Sequence, residues 1–133
     1  MREGGIHQEN PMILYYLCFY LSTMEDLLRI LFPTWVFEHF DLEKVEDDAC
    51  RIDVYFGEKK VIPIATGHLI SKGFTDYSLV QDFPIRGKAV YLHLRRRKWV
   101  DVETGEVTSR KFDIAYDGTR LTHEFVAFLK ESH

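Results

Sequence analysis

The chain has 133 residues, 46% of them hydrophobic and 29% charged, with a formal net charge of -4 at pH 7. That length suits one ordinary hydrophobic core, and that balance excludes both wholesale disorder and a membrane-embedded body. A hold on nucleic acid by bulk attraction is excluded too, so any grip on a polyanion must come from a local arrangement of charge.

Asn10-Pro11 places a capping residue before one pre-set for a first helical turn, which predicts a helix start there. The run Pro11 to Leu21 is wholly apolar. As a helix it is roughly 16 Å long, about half of a bilayer's hydrocarbon thickness, so it does not span a membrane unaided. A signal peptide is disfavoured, because Arg2 is offset by Glu3 and Glu9 and no small-residue cleavage pattern follows. Ser22-Thr23-Met24-Glu25 has the capping-box pattern and predicts a second helix from about Thr23. Leu27, Leu28 and Leu31 would be its core stripe, with Pro33 ending it before a short turn from Trp35 to Phe40. The apolar run has two readings: a packed extra helix, or translation assigned from too early a start, with Met24 the alternative. The second is preferred, since an all-round apolar segment needs a partner surface that a small domain rarely offers. Residues 1–23 are therefore read as an apolar leader and 24–133 as one domain.

From Asp41 the period changes to two, with Leu42 and Val45, a polar break at Glu46-Asp47-Asp48, then Ile52, Val54 and Phe56 before Gly57, the pattern of a β-hairpin. Lys59 to Ile64 reads as an extended piece and Thr66 to Gly73 as a loop. Tyr77 to Asp82 reads as a strand closed by a turn over Phe83 to Gly87. From Lys88 to Trp99, alternation puts Val90, Leu92 and Leu94 on one face, continued by Arg96 and Lys98. Tyr91, His93, Arg95, Arg97 and Trp99 fall on the other. Glu103 to Glu106 is a hairpin turn with Gly105 free to take a positive φ. A return strand is expected from about Glu106 to Ala115, then a helix capped by Thr119 and running to Lys130. The predicted class is α+β: one or more N-terminal helices, a β-hairpin, an antiparallel sheet and a C-terminal helix. Cys18 and Cys50 lie too far apart for a disulfide framework or a metal knuckle, which fits a reducing, cytoplasmic setting.

Charge is unevenly spread. Residues 1–67 hold 6 Lys/Arg against 12 Asp/Glu, whereas the stretch Pro84 to Lys111 holds 8 basic residues and 3 acidic ones. Two readings of this stripe stand side by side. Several Lys and Arg on a rigid strand neutralise successive phosphates and release counterions; charge on an edge strand also guards against aggregation. Trp99 beside it is either a base-stacking residue or, more commonly, a core residue.

The search for catalytic chemistry is largely negative. His123-Glu124 begins a zinc-protease pattern, but the second ligand position is Ala127. There is no glycine-flanked nucleophilic serine, phosphate-cradling loop or close cysteine pair. Asp47 and Asp48 read as a solvated turn, and His39, His68 and His93 lack metal-ligand spacing. No catalytic residue, metal or cofactor is expected.

Taken together, Gln81 to Trp99 (QDFPIRGKAVYLHLRRRKW) resembles the core of the amino-terminal zinc-ribbon region of transposases of the ISL-three family. The likeness is strongest to the ISAon-one group, through LISKGF (Leu69 to Phe74), ETGEV (Glu103 to Val107) and GTRLTHEFVAFLKE (Gly118 to Glu131), and it covers Met24 to Glu131. In the wider family, cysteine pairs flank this strand and hold zinc. Here no cysteine stands near Gly67 to Ser71 or after Trp99, so the resemblance implies a zinc-free ribbon, with Trp99 and Phe112 supplying part of the packing. It further implies recognition of an insertion sequence's terminal inverted repeats. Arg95, Arg96, Arg97 and Lys98 would contact phosphate, Arg86, Lys88, Arg110 and Lys111 would flank them, and Arg120 would reach DNA from the final helix. The family's full helix-turn-helix and its three-carboxylate catalytic domain have no counterpart in these residues. The resemblance leaves two readings, a region that acts with a separately encoded catalytic transposase chain or a remnant of a frameshifted element, and the expected partners are DNA at the element ends and that catalytic chain. No membrane is expected, and a homodimer is compatible with the reading. The rival is a protein-interaction module that docks the catalytic chain without touching DNA.

Overall fold

The computed structural model describes residues 11–63 and 68–132 and has an α+β fold. The chain divides into two compact units, Met1–Trp35 and Val36–His133. In the first, α1 (Pro11–Leu31) is one unbroken helix of 21 residues. It starts at Pro11 as expected, while Asn10 lies outside the described residues. No new helix starts near Thr23. Residues 12–31 contain neither Gly nor Pro, so the ladder of the first helix already engages the N–H groups that a capping box would serve. Leu27 and Leu31, expected in the core, are exposed, as are Met12 to Leu17. Among the described residues, no helix is long and apolar enough to cross a membrane.

The expected turn after Pro33 is instead a short helix, α2 (Thr34–His39), which buries Val36 and Phe37. The predicted hairpin follows as β1 (Phe40–Asp47) and β2 (Arg51–Glu58). Glu43 is an extra residue in β1: Leu42 pairs with Phe56 and Lys44 with Tyr55. Such a bulge bends an edge strand and re-aims its side chains. Lys59 to Pro63 form no regular element, and Ile64 lies outside the described residues. Much of the expected loop to Gly73 is a strand, β3 (Leu69–Phe74). β4 (Ser78–Ile85) and β5 (Lys88–Arg95) form a second hairpin whose turn is only Arg86-Gly87.

The two hairpins join in a four-stranded sheet of order β1-β2-β5-β4. β2 and β5 run parallel, so this sheet is mixed and not wholly antiparallel as expected. The parallel register sets Val54 beside Leu92 and Phe56 beside Leu94, and all four are almost fully buried. Burying two strands with continuous apolar faces against each other outweighs the convenience of a simple meander. Phe37 meets Phe56 edge to face, with ring centroids 5.8 Å apart.

The strand expected to run to Trp99 breaks at Arg96. Its N–H donates to Thr75 Oγ1 at 3.1 Å and its carbonyl accepts the Thr75 N–H at 2.8 Å. Beyond it, β6 (Arg97–Asp101) leaves for a second sheet, of order β3-β6-β7, where β7 is Val107–Thr108. The break reverses the expected facing of Trp99, which is buried. The return strand is thus two residues long and does not reach Ala115; Phe112 packs on Phe40 and His39 instead, with ring centroids 5.0 and 5.2 Å apart. α3 (His123–Glu131) is capped by Thr122 rather than Thr119. The Thr119 hydroxyl is engaged in the preceding turn, donating to the Tyr116 carbonyl and accepting the Leu121 N–H. Leu121 bridges to Gln81, and Phe125 and Phe128 meet Phe83, which seats α3 on β4.

Candidate nucleic-acid interface

Nine cations were expected to face DNA, and the fold divides them. Arg95, on the face of β5 opposite the core, donates from Nη2 and Nε to Glu43 Oε2 at 2.5 and 3.1 Å. Its guanidinium also lies 4.1 Å above the Phe74 ring and 5.2 Å from that of Tyr77. Tyr77 adds a hydroxyl donated to Glu43 Oε1 at 2.6 Å. Burial works to raise the Glu43 carboxyl, but hydrogen bonds from Arg95 and Tyr77 hold it below the usual carboxylate range. Gly57 makes room for this pair, since a Cβ there would lie 2.6 Å from Glu43 Oε2.

Arg97 is engaged as well. Its backbone N–H donates to Glu58 Oε1 and its Nε to the Glu58 carbonyl, each at 2.9 Å, and its Nη1 donates to Ser71 Oγ at 2.9 Å. Glu58 is nearly fully buried, and its second oxygen lies 3.7 Å from Arg110 Nε. Arg110 Nη2 donates to the Val61 carbonyl, and Arg96 Nη1 to the Arg110 carbonyl. Lys88 Nζ donates to Asp47 Oδ1 at 2.6 Å. The arginine run is therefore mostly a set of internal ties between β1, β2, β5 and β6. Sequence reasoning missed the carboxylates Asp47, Glu43 and Glu58, because partners 41, 52 and 39 residues away leave no local signal.

Arg86, Lys98, Lys111 and Arg120 remain exposed, and among the described residues none has an ion pair. Arg86 occupies the first position of a two-residue hairpin turn with φ of 50°, followed by Gly87 at 79°. That turn favours Asn or Gly at a position with positive φ, so backbone preference does not account for an arginine there. Lys72, on β3, is a further exposed cation, without an ion pair among the described residues, that sequence reasoning did not single out.

His39, His68 and His93 do not converge. His93 Nε2 lies 2.7 Å from Asp53 Oδ1, and its ring stacks on Tyr55 at 4.2 Å, its register partner in β2. Arg51 donates to both oxygens of Asp53 and stacks over Tyr91. The Arg51 hydrogen bond is the main cause holding the Asp53 carboxyl below its ordinary value. His39 lies beside Phe112, and His68 lies 3.6 Å from Glu103. Among the described residues no three His, Cys, Asp or Glu side chains are placed to hold a metal ion. No protein-family model, curated protein or solved structure matches the chain.

Proposed function

We propose that this chain is a non-catalytic DNA-recognition region of an insertion-sequence transposase, binding element ends and working beside a catalytic chain. The observation that carries the reading is the set of exposed cations with no ion pair among the described residues, Arg86, Lys98, Lys111 and Arg120, within the segment that resembles ISL-three transposases. Unpaired ammonium and guanidinium groups neutralise phosphate without first breaking an internal ion pair, so each releases counterions on binding. Arg95, Arg97, Arg110 and Lys88 are assigned to holding the β-sheets together, with Arg96 tying two segments, and the phosphate-contact set shrinks accordingly.

Binding of labelled element-end duplex over a salt series tests this. Four phosphate contacts give a log–log salt slope between about -3 and -4. An affinity that hardly varies with salt, or that survives replacement of all four residues by alanine, sinks the reading. A second reading, docking of a catalytic chain without DNA contact, draws on the exposed Phe128 and Leu129 of α3. It expects co-purification with that chain and no gel shift.

A further inference from the structure

Two dibasic pairs far apart in sequence, Lys59-Lys60 and Arg110-Lys111, meet on one surface. The first sits in a tight turn beyond β2, where the Lys59 N–H donates to the His39 carbonyl at 2.8 Å and the Val61 N–H to the Lys59 carbonyl at 2.9 Å. A three-residue turn of this kind puts its central residue, Lys60, at the apex, and it is exposed there. Arg110 Nη2 donates to the Val61 carbonyl at 2.9 Å across 49 residues of chain, which brings exposed Lys111 to the same place. Arg96 Nη1 donates to the Arg110 carbonyl at 3.0 Å and adds a further cation. Lys59, Lys60, Arg96 and Lys111 have no ion pair among the described residues. Lys59 and Arg110 line a cavity of about 240 Å³ whose walls include two carboxylates, Glu38 and Glu58. Glu58 is nearly fully buried, one oxygen accepting the Arg97 N–H and the other 3.7 Å from Arg110 Nε. Glu38 is exposed and lies 4.0 Å from His39.

Acidic residues outnumber basic ones in the whole chain, 21 to 17, yet here cations gather with one exposed carboxylate between them. Like charges held together raise the free energy of the free protein and lower it again when an anion is bound. We infer that this seam is a phosphate-contact surface that follows the backbone of duplex DNA and reads no bases. The inference rests on the proposed DNA binding and gives it a surface, with Lys59 and Lys60 as contacts that lie outside the basic stretch of the sequence. Base edges are read by forked donors, but the Arg110 fork is engaged by the Val61 carbonyl and Glu58. The exposed groups left are lysines, point charges suited to phosphate. Stacking is not offered either, because the Phe112 ring packs on Phe40 and His39. An acidic polypeptide is the poorer fit: duplex DNA carries one charge per about 1.7 Å of axis, whereas an extended chain advances about 3.3 Å per residue.

The test measures binding of an element-end duplex and of a scrambled duplex of equal length over a salt series. With Lys59 and Lys60 joining the four cations already assigned, six contacts give a log–log slope between about -4 and -5.5. The double variant Lys59→Gln/Lys60→Gln breaks no side-chain hydrogen bond or ion pair among the described residues. It should reduce the magnitude of the slope by about 2 and weaken both duplexes by the same factor. Lys72→Gln, which removes an exposed cation on β3 outside the seam, should leave the slope as it is. An unaltered slope in the double variant, a loss confined to the element-end duplex, or an equal loss per charge from Lys72→Gln overturns the seam while salt-dependent DNA binding stands. Release of the duplex by polyglutamate at equal charge concentration overturns it in favour of an acidic polypeptide. Absence of any duplex binding overturns both this inference and the proposed function.

Discussion

Arg95 and Lys98 stand three residues apart in one basic run and have opposite fates. Arg95→Ala removes a carboxylate pair and two aromatic contacts, so it is expected to cost roughly 1 kcal/mol in urea unfolding, with the salt slope of DNA binding unchanged. Lys98→Ala breaks no hydrogen bond or ion pair among the described residues; it should leave stability within about 0.5 kcal/mol and lower the salt slope by about 1. Asp82 offers a separate test at this scale. It is buried, accepts the Thr122 hydroxyl at 2.8 Å, and has its carboxyl pushed up by burial, with Glu124 adding to the effect. Its favourable contribution is complete below the ordinary Asp value of about 3.9 and declines as pH rises through the elevated folded value. Asp82→Asn keeps an acceptor for Thr122, so unfolding measured from mildly acidic to neutral pH should lose that decline, and the variant should be the more stable at neutral pH. Asp53 and Glu43 have the opposite sign, since their lowered carboxyls contribute above the ordinary range and lose that contribution as pH falls.

At the scale of elements, caps and turns decide boundaries that periodicity leaves open. Thr122 both caps α3, accepting the Phe125 N–H, and donates to Asp82, so Thr122→Ala removes a cap and strips a buried carboxylate of a donor. A loss of about 2 kcal/mol is expected, seen as a lower unfolding midpoint. The Arg86-Gly87 turn gives a contrasting case: Arg86→Gly relieves a positive φ and should raise stability by up to about 1 kcal/mol while weakening DNA binding. Gain of stability with unchanged affinity would remove Arg86 from the contact set. Much of this level was legible. The hairpin before Gly57, the Gly105 turn and the inward Val90, Leu92 and Leu94 follow from alternation and turn chemistry. The break at Arg96 was not, because it is stabilised by Thr75, 21 residues upstream. Nor was the continuity of α1, because a capping-box motif acts only where a helix actually begins.

For the whole molecule, a net charge of -4 and several internal ion pairs leave a modest cationic surface, so the proposed element-end binding should be weak at physiological salt and strengthen steeply as salt is lowered. The resemblance implies a zinc-free ribbon; in the structure Trp99 is buried and Phe112 packs on Phe40. Treatment with a strong chelator should therefore leave the thermal unfolding midpoint unchanged, and a drop of several degrees would show that a metal had been part of the fold.

Residue order alone settled the α+β class, most strands and the inward side of β5, because hydrophobic period and turn residues act over a few positions. Only folding decided which arginines are spent inside the protein, which sheet receives Trp99, and that β2 and β5 run parallel. Those outcomes depend on groups that meet across tens of residues. A cation's role is set by the carboxylate it finds in space, and nothing in its immediate neighbours records that encounter.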